Sequence, residues 1–127
     1  MKAARAERGR AGERAGRRAE WFAEWLYRLA GWRCRARRWR SPAGEIDLVF
    51  ERRHTLLFVE VKRRTRASAA WTGGEILSHR QRRRLARAIA LYRARHPDLA
   101  GHAVRVDLIV IGASMLPKRL ESIMLME

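Results

Sequence analysis

The sequence predicts a single α/β domain built on a mixed central sheet, with its elements in the order α-β-β-β-α-β. Three observations lead there. An amphipathic helical stretch comes first. Three short segments of alternating apolar residues follow, and a long capped helical stretch separates them from one more such segment. The length, 127 residues, suits one domain and leaves no room for two ordinary ones. Leu, Ile, Val and Phe number 28, enough for a modest core.

Apart from Met1, residues 1–17 hold no large apolar side chain and read as a flexible basic arm, leaving 18–127 as the domain. Residues 18–29 read as a helix. Trp21, Phe22, Trp25, Leu26 and Leu29 share one of its faces, so Trp21 and Trp25 are expected in the core. Gly31 ends it. Residues 32–37 alternate apolar and basic, as a half-buried strand does, and this puts Arg33, Arg35 and Arg37 on one face. Ser41-Pro42-Ala43-Gly44 is a turn.

Residues 45–51 and 55–62 form the next two strands. The short link Arg52-Arg53-His54 makes them an antiparallel hairpin. With Arg53-His54 as the tip, Ile46, Leu48 and Phe50 fall opposite Val61, Val59 and Leu57, a wholly apolar face. The same register sets Asp47 opposite Glu60 on the other face, and a slip by one residue would mix the faces. Residues 63–77, with Thr72-Gly73-Gly74, read as a mobile loop. Residues 78–95 read as a helix: Ser78 and Gln81 have capping-box spacing, and Pro97 lies just past its end. Leu85, Ala88, Ile89 and Tyr92 are its buried stripe, and Arg80, Arg83, Arg84 and Arg87 stand away from it. Residues 104–111 alternate as a fourth strand. Residues 119–126 fit a strand or a short helix, with strand preferred.

Charge narrows the function. There are 29 Lys and Arg against 13 Asp and Glu, a net +16, which disfavours an ordinary neutral metabolic enzyme and favours a polyanionic partner. All but three of the basic residues are Arg, a bias that coding composition also produces. The charge is not uniform. Residues 1–40 carry +9 and residues 77–96 carry +7, whereas residues 41–76 carry only +1. An acidic centre between basic blocks repels phosphate unless a cation intervenes. Cys34 is alone, which excludes an intrachain disulfide and a cysteine-based zinc site and suits a reducing, cytoplasmic setting. No apolar run reaches membrane-spanning length, and no membrane partner is expected.

Asp47, Glu60 and Lys62 are the strongest chemical signal. Residues two apart in a strand point the same way, so Glu60 and Lys62 project together beside Asp47. Two converging carboxylates suit a hard cation such as Mg²⁺ or Mn²⁺. A lysine beside such an ion can orient water or hold charge on phosphoryl oxygens. The plain alternative is a cross-strand Lys–Glu pair on a solvated face. Against it, these charges interrupt an otherwise apolar strand, and Lys62 is a rare lysine in an arginine-rich chain.

Gly44-Glu45-Ile46-Asp47-Leu48-Val49 followed by Phe58-Val59-Glu60-Val61-Lys62-Arg63 resembles the paired signature of the YraN family of small bacterial proteins. The resemblance covers about residues 16–111. It implies the restriction-endonuclease-like core of the PD-(D/E)xK superfamily, with archaeal Holliday-junction resolvases among its relatives. It further implies metal-liganding roles for Asp47 and Glu60 and a catalytic role for Lys62. The family's Gly-Glu-x-x-Ala on the first helix matches Ala19-Glu20-Trp21-Phe22-Ala23, so Glu20 is the candidate third ligand, or else an exposed helix acid. Glu45 is a further ligand candidate or an ion-pair partner of Arg40 or Arg63. Where the family has a Lys near the start of the second helix this chain has Arg80, which keeps a charge role but cannot act as a base. Ile46 stands where the superfamily has Pro.

The expectation is therefore a nuclease-like domain that acts on DNA with Mg²⁺ or Mn²⁺, branched DNA included. Asp47, Glu60 and Lys62 are its catalytic residues, and Glu20 joins Asp47 and Glu60 at the metal. Arg33, Arg35, Arg37, Arg80, Arg83, Arg84 and Arg87 are the expected contacts to phosphate. Symmetric cutting of a branched substrate would need a homodimer. Two other readings stay open: a non-catalytic nucleic-acid-binding module of the same fold, and an RNA- or ribosome-associated basic protein.

Overall fold

The computed structural model describes residues 2–63, 77–112, 117–123 and 125, with side chains of the first helix described from Gly16 onward. The helix α1 (Lys2–Leu29) is followed by strands β1 (Arg33–Ser41), β2 (Gly44–Arg52) and β3 (Thr55–Arg63). Then come α2 (His79–Ala94), a single 3₁₀ turn (Pro97–Leu99), β4 (Ala103–Ile111) and β5 (Pro117–Leu120). The five strands form one sheet in the order β1-β2-β3-β4-β5. The β3–β4 pair is parallel and the others are antiparallel, so the sheet is mixed, as the sequence predicts. Most of the loop expected at residues 63–77, with Trp71, lies outside the described residues.

Alternation along the central strands buries both faces. Leu48, Phe50, Leu57, Val59, Ile109 and Ile111 meet Ala19, Ala23 and Tyr27 of α1. Val49, Leu56, Phe58 and Val106 meet Leu85, Ala88, Ile89 and Tyr92 of α2. The molecule is thus helix, sheet, helix in three layers. The hairpin register follows the expectation, with Arg52 opposite Thr55 and Leu48 opposite Val59. Helix α2 starts at the expected cap: the Ser78 side chain accepts from the Gln81 N–H, and the Gln81 side chain accepts from the Ser78 N–H. Such a cap is worth about 1 kcal/mol.

Four expectations need correction. The backbone of residues 2–17 is helical and continuous with α1. Ala and Arg are strong helix formers, so a stretch without a core-facing stripe can still take helical backbone. Second, α1 turns a different face inward. Trp21, Trp25 and Leu29 are 63%, 40% and 80% exposed, while Ala19, Ala23 and Tyr27 are buried. The small alanines let the helix approach the sheet, and the Tyr27 hydroxyl reaches buried Asp107 at 2.9 Å. Third, Arg33, Arg35 and Arg37 do not share a face, because the β1–β2 register shifts between Cys34 and Ala36. Fourth, Ile46 packs on the α2 side, away from Leu48 and Phe50. The break comes at Asp47, between the pairs Arg37–Leu48 and Trp39–Ile46, where Arg38 takes φ +47°.

The last strand is Pro117–Leu120, shorter and earlier than the stretch 119–126. Asp107 accepts from Tyr27, from Arg105 at 2.9 and 2.8 Å and from the Ser122 N–H. Among the described residues no helix is long and apolar enough to cross a membrane.

Candidate functional site

The β2–β3 ladder is regular from the hairpin tip up to Leu48 and Val59. Just past it, the Val61 N–H donates 2.8 Å to Asp47 Oδ2, so a carboxylate occupies the place where the strands part. Glu60 and Lys62, two residues apart on β3, flank that point. Lys62 Nζ lies 3.9 Å from Glu60 Oε1, and both side chains are largely shielded from water. Glu45, Asp47, Glu60 and Lys62 line one cavity of about 280 Å³, closed on its other side by Leu77, Gln81, Arg84 and Leu85. The strand pattern and the hairpin turn therefore bring Asp47 and Glu60 to one face.

The electrostatics of the pair are those of a site short of positive charge. Burial pushes the Asp47 carboxyl up, against the Val61 N–H that favours its anion, and the charge of Glu20 adds to the push. Burial and the neighbouring Asp47 push Glu60 up, with Lys62 opposing. The charge of Asp47 is the largest influence on Glu60 after burial, and both carboxyls line the same cavity. Both cannot comfortably be anions there unless a cation sits between them. They are hard oxygen donors of the kind that take Mg²⁺ or Mn²⁺, and such ions commonly take only one or two protein carboxylates plus water and substrate oxygens. Among the described residues no group of three or more His, Cys, Asp or Glu side chains is arranged to hold a metal.

Glu20 does not join that pair. Arg38 Nε donates to Glu20 Oε1 at 2.7 Å, and Glu20 lines a separate cavity with Arg17, Trp21, Glu24, Arg37, Arg38 and Leu48. Its neighbour Glu24 is buried and takes two hydrogen bonds from Arg37, at 2.6 and 2.7 Å. Glu45 lines the first cavity and pairs loosely with Arg40 at 3.7 Å. Gln81 is committed to its cap.

The expected phosphate-binding arginines divide into two sets. Arg33 and Arg35 donate to Glu51 at 2.7 and 2.9 Å, and Arg37 to Glu24, so the β1 set is already paired. Arg80, Arg83, Arg84 and Arg87 on α2 are exposed and make no hydrogen bond or ion pair to another described residue. Of these, only Arg84 lines the carboxylate cavity. Sequence reasoning missed Arg38, because its tie to Glu20 joins two elements and depends on a left-handed backbone that no glycine announces.

A model of the uncharacterised protein family UPF0102, the YraN family, matches residues 19–111. The chain belongs to this family. Its UPF0102 relatives include a protein of Parvibaculum lavamentivorans, 46% identical over 112 residues that cover 88% of this chain and 82% of the relative. Another, from Methylorubrum extorquens, is 39% identical, covering 89% and 86%. A third, from Azorhizobium caulinodans, is 44% identical, covering 83% and 78%. The family match spans β1 through β4 and both helices' packing faces, so Asp47, Glu60, Lys62 and Arg84 all lie inside the UPF0102 region.

Proposed function

We propose that this UPF0102 protein is a metal-dependent nuclease that acts on DNA phosphodiester bonds, branched DNA included. The observation that carries the reading is the half-buried Asp47–Glu60 pair sharing one cavity with Lys62. Asp47 and Glu60 hold Mg²⁺ or Mn²⁺. The bound ion neutralises phosphate oxygens and acidifies a water. Lys62, 3.9 Å from Glu60, orients the attacking water or holds positive charge against the phosphoryl oxygens. Arg80, Arg83 and Arg87 hold the flanking backbone without reading sequence, and Arg84 adds its charge at the cavity itself. Glu20 completes the metal shell only once Arg38 releases it. Symmetric cutting of a junction requires two such sites, hence a homodimer. The lone, half-buried Cys34 suits work in a reducing cytoplasm.

A second reading, a nucleic-acid-binding module without hydrolysis, draws on the Arg38–Glu20 pair, which keeps the candidate third ligand occupied. Cleavage of plasmid and four-way-junction DNA separates the two. In Mg²⁺ or Mn²⁺ the wild type is expected to cut, with Lys62→Ala and Asp47→Asn each slower by about 1,000-fold. A wild type that binds DNA yet cuts neither substrate would hand the case to the second reading.

A further inference from the structure

Arg84 differs from every other arginine on α2. Its stem lies across the backbone at the start of β2: a Cβ added to Gly44 would stand 2.8 Å from Arg84 Cγ and 3.1 Å from Cδ. Gly44 is doubly suited to that position, since its φ of +143° is one that side chains with a Cβ rarely adopt. The turn beneath is tied down, with Ser41 Oγ donating to Gly44 O at 2.9 Å and accepting from the Ala43 N–H at 3.2 Å. Packing on a tight turn therefore holds the Arg84 stem, and no ion pair with a described residue holds its head. Glu45, Asp47 and Glu60 line the same cavity, yet none of them is paired with it. Elsewhere on the sheet, Arg33, Arg35, Arg37, Arg38 and Arg105 each take a carboxylate.

A planar five-donor fork with no partner among the described residues, set beside a carboxylate pair, calls for a ligand that meets both. A phosphoryl group does so: one oxygen would meet a cation held by Asp47 and Glu60 and another the guanidinium. Gln81, the other polar α2 residue in the cavity, is taken up by its cap, so Arg84 is the donor that α2 supplies there.

We propose that Arg84, seated on Gly44, is a catalytic residue that grips the non-bridging oxygens of the phosphate under attack, whereas Arg80, Arg83 and Arg87 hold phosphates farther along the backbone. This rests on the nuclease reading. An arginine does not take the proton from water; its contribution is charge stabilisation that grows as the phosphoryl oxygens gain negative charge in the transition state.

Single-turnover cleavage at saturating DNA in Mg²⁺ is the test. Arg84→Ala is expected to slow cleavage about 100-fold, with DNA affinity in Ca²⁺ changed less than about threefold. Free guanidinium should restore part of the rate, and Arg84→Lys should restore less than the native fork. Gly44→Ala, with its fold checked by circular dichroism, should act through Arg84, so the Gly44→Ala/Arg84→Ala double variant should be no slower than Arg84→Ala. Arg93→Ala, at the solvent end of α2, is the unchanged control. An Arg84→Ala enzyme that cuts at the wild-type rate, or that loses affinity alone, overturns the assignment. If the wild type cuts nothing, the nuclease reading fails, and a second measurement decides Arg84. The ¹⁵Nε resonance of Arg84 should shift when inorganic phosphate and Mg²⁺ are added together, and be silent in Asp47→Asn. No shift in the wild type would sink the phosphate site as well.

Discussion

Asp47 and Glu51 sit four residues apart on β2, and their surroundings are opposite. Glu51 is encircled by nitrogen partners: the guanidinium groups of Arg33 at 2.7 Å and Arg35 at 2.9 Å, and the His102 ring at 2.6 Å. Burial pushes its carboxyl up, but hydrogen bonds from Arg33, His102 and Arg35 overcome this and hold it at about 2. At the other end of the strand, Asp47 lines a cavity with two more carboxylates, Glu45 and Glu60, and takes no ion pair from a described residue, while Lys62 is 3.9 Å from Glu60. Both Asp47 and Glu60 are pushed up. One strand thus carries an acid whose charge the fold has satisfied and an acid whose charge the fold has left open. A protein built only for stability would treat both alike. The unsatisfied end is where an added cation and a phosphate have something to gain, so the contrast marks function more sharply than the net charge does.

The contrast predicts opposite signs for removing the two charges. Glu51→Gln should destabilise the fold by about 2 kcal/mol at pH 7, read from urea unfolding, because it weakens three charge-assisted hydrogen bonds at once. The pH dependence follows from the lowered pKa. The stabilisation by Glu51 is complete above its usual value of 4.5 and is lost as pH falls toward about 2. The deficit of Glu51→Gln relative to wild type should therefore shrink across that window and vanish below it. A deficit that persists below pH 2 would show that the cluster acts through packing rather than charge. Next in size is the metal itself. Mg²⁺ at ten times its dissociation constant should stabilise the wild type by about 1.4 kcal/mol and leave Asp47→Asn unmoved. Equal stabilisation of both proteins would place the ion elsewhere.

How far the sequence reached follows the same divide between local and non-local causes. The β2–β3 register from the hairpin tip to Leu48 and Val59 was legible because turn length and period-two alternation leave a single solution, whereas the break at Asp47 that sends Ile46 to the α2 side was not. Helix α2 was legible from its Ser78–Gln81 cap and its stripe. What the sequence hid depends on partners far along the chain. Hydrophobicity favours Trp21 and Trp25 as the inner face of α1, but close approach favours Ala19 and Ala23, and Tyr27 turns inward for Asp107, eighty residues away. The β1 arginines looked like one face because neither the register shift after Cys34 nor the left-handed Arg38 carries a residue signal. Glu20 looked like a ligand because nothing local reveals that Arg38 takes it.

The smallest effect is the most diagnostic. Glu60→Gln should stabilise the metal-free protein at pH 8, by about 1 kcal/mol. At that pH the wild type must either keep a proton on the half-buried pair or hold two anions in one cavity, and both options cost free energy. A neutral amide removes the second charge while its NH₂ can donate to Asp47 in place of the shared proton. The loss of the 3.9 Å contact to Lys62 offsets little, since that contact is long. The gain should disappear when Mg²⁺ is present, because the wild type then recovers through the ion what the variant recovers through the amide. A Glu60→Gln protein less stable than wild type without metal would mean that Lys62 already satisfies this carboxylate. The two ends of β2 would then be alike, each acid already matched by a cation, and Asp47 and Glu60 would have no need of a metal ion.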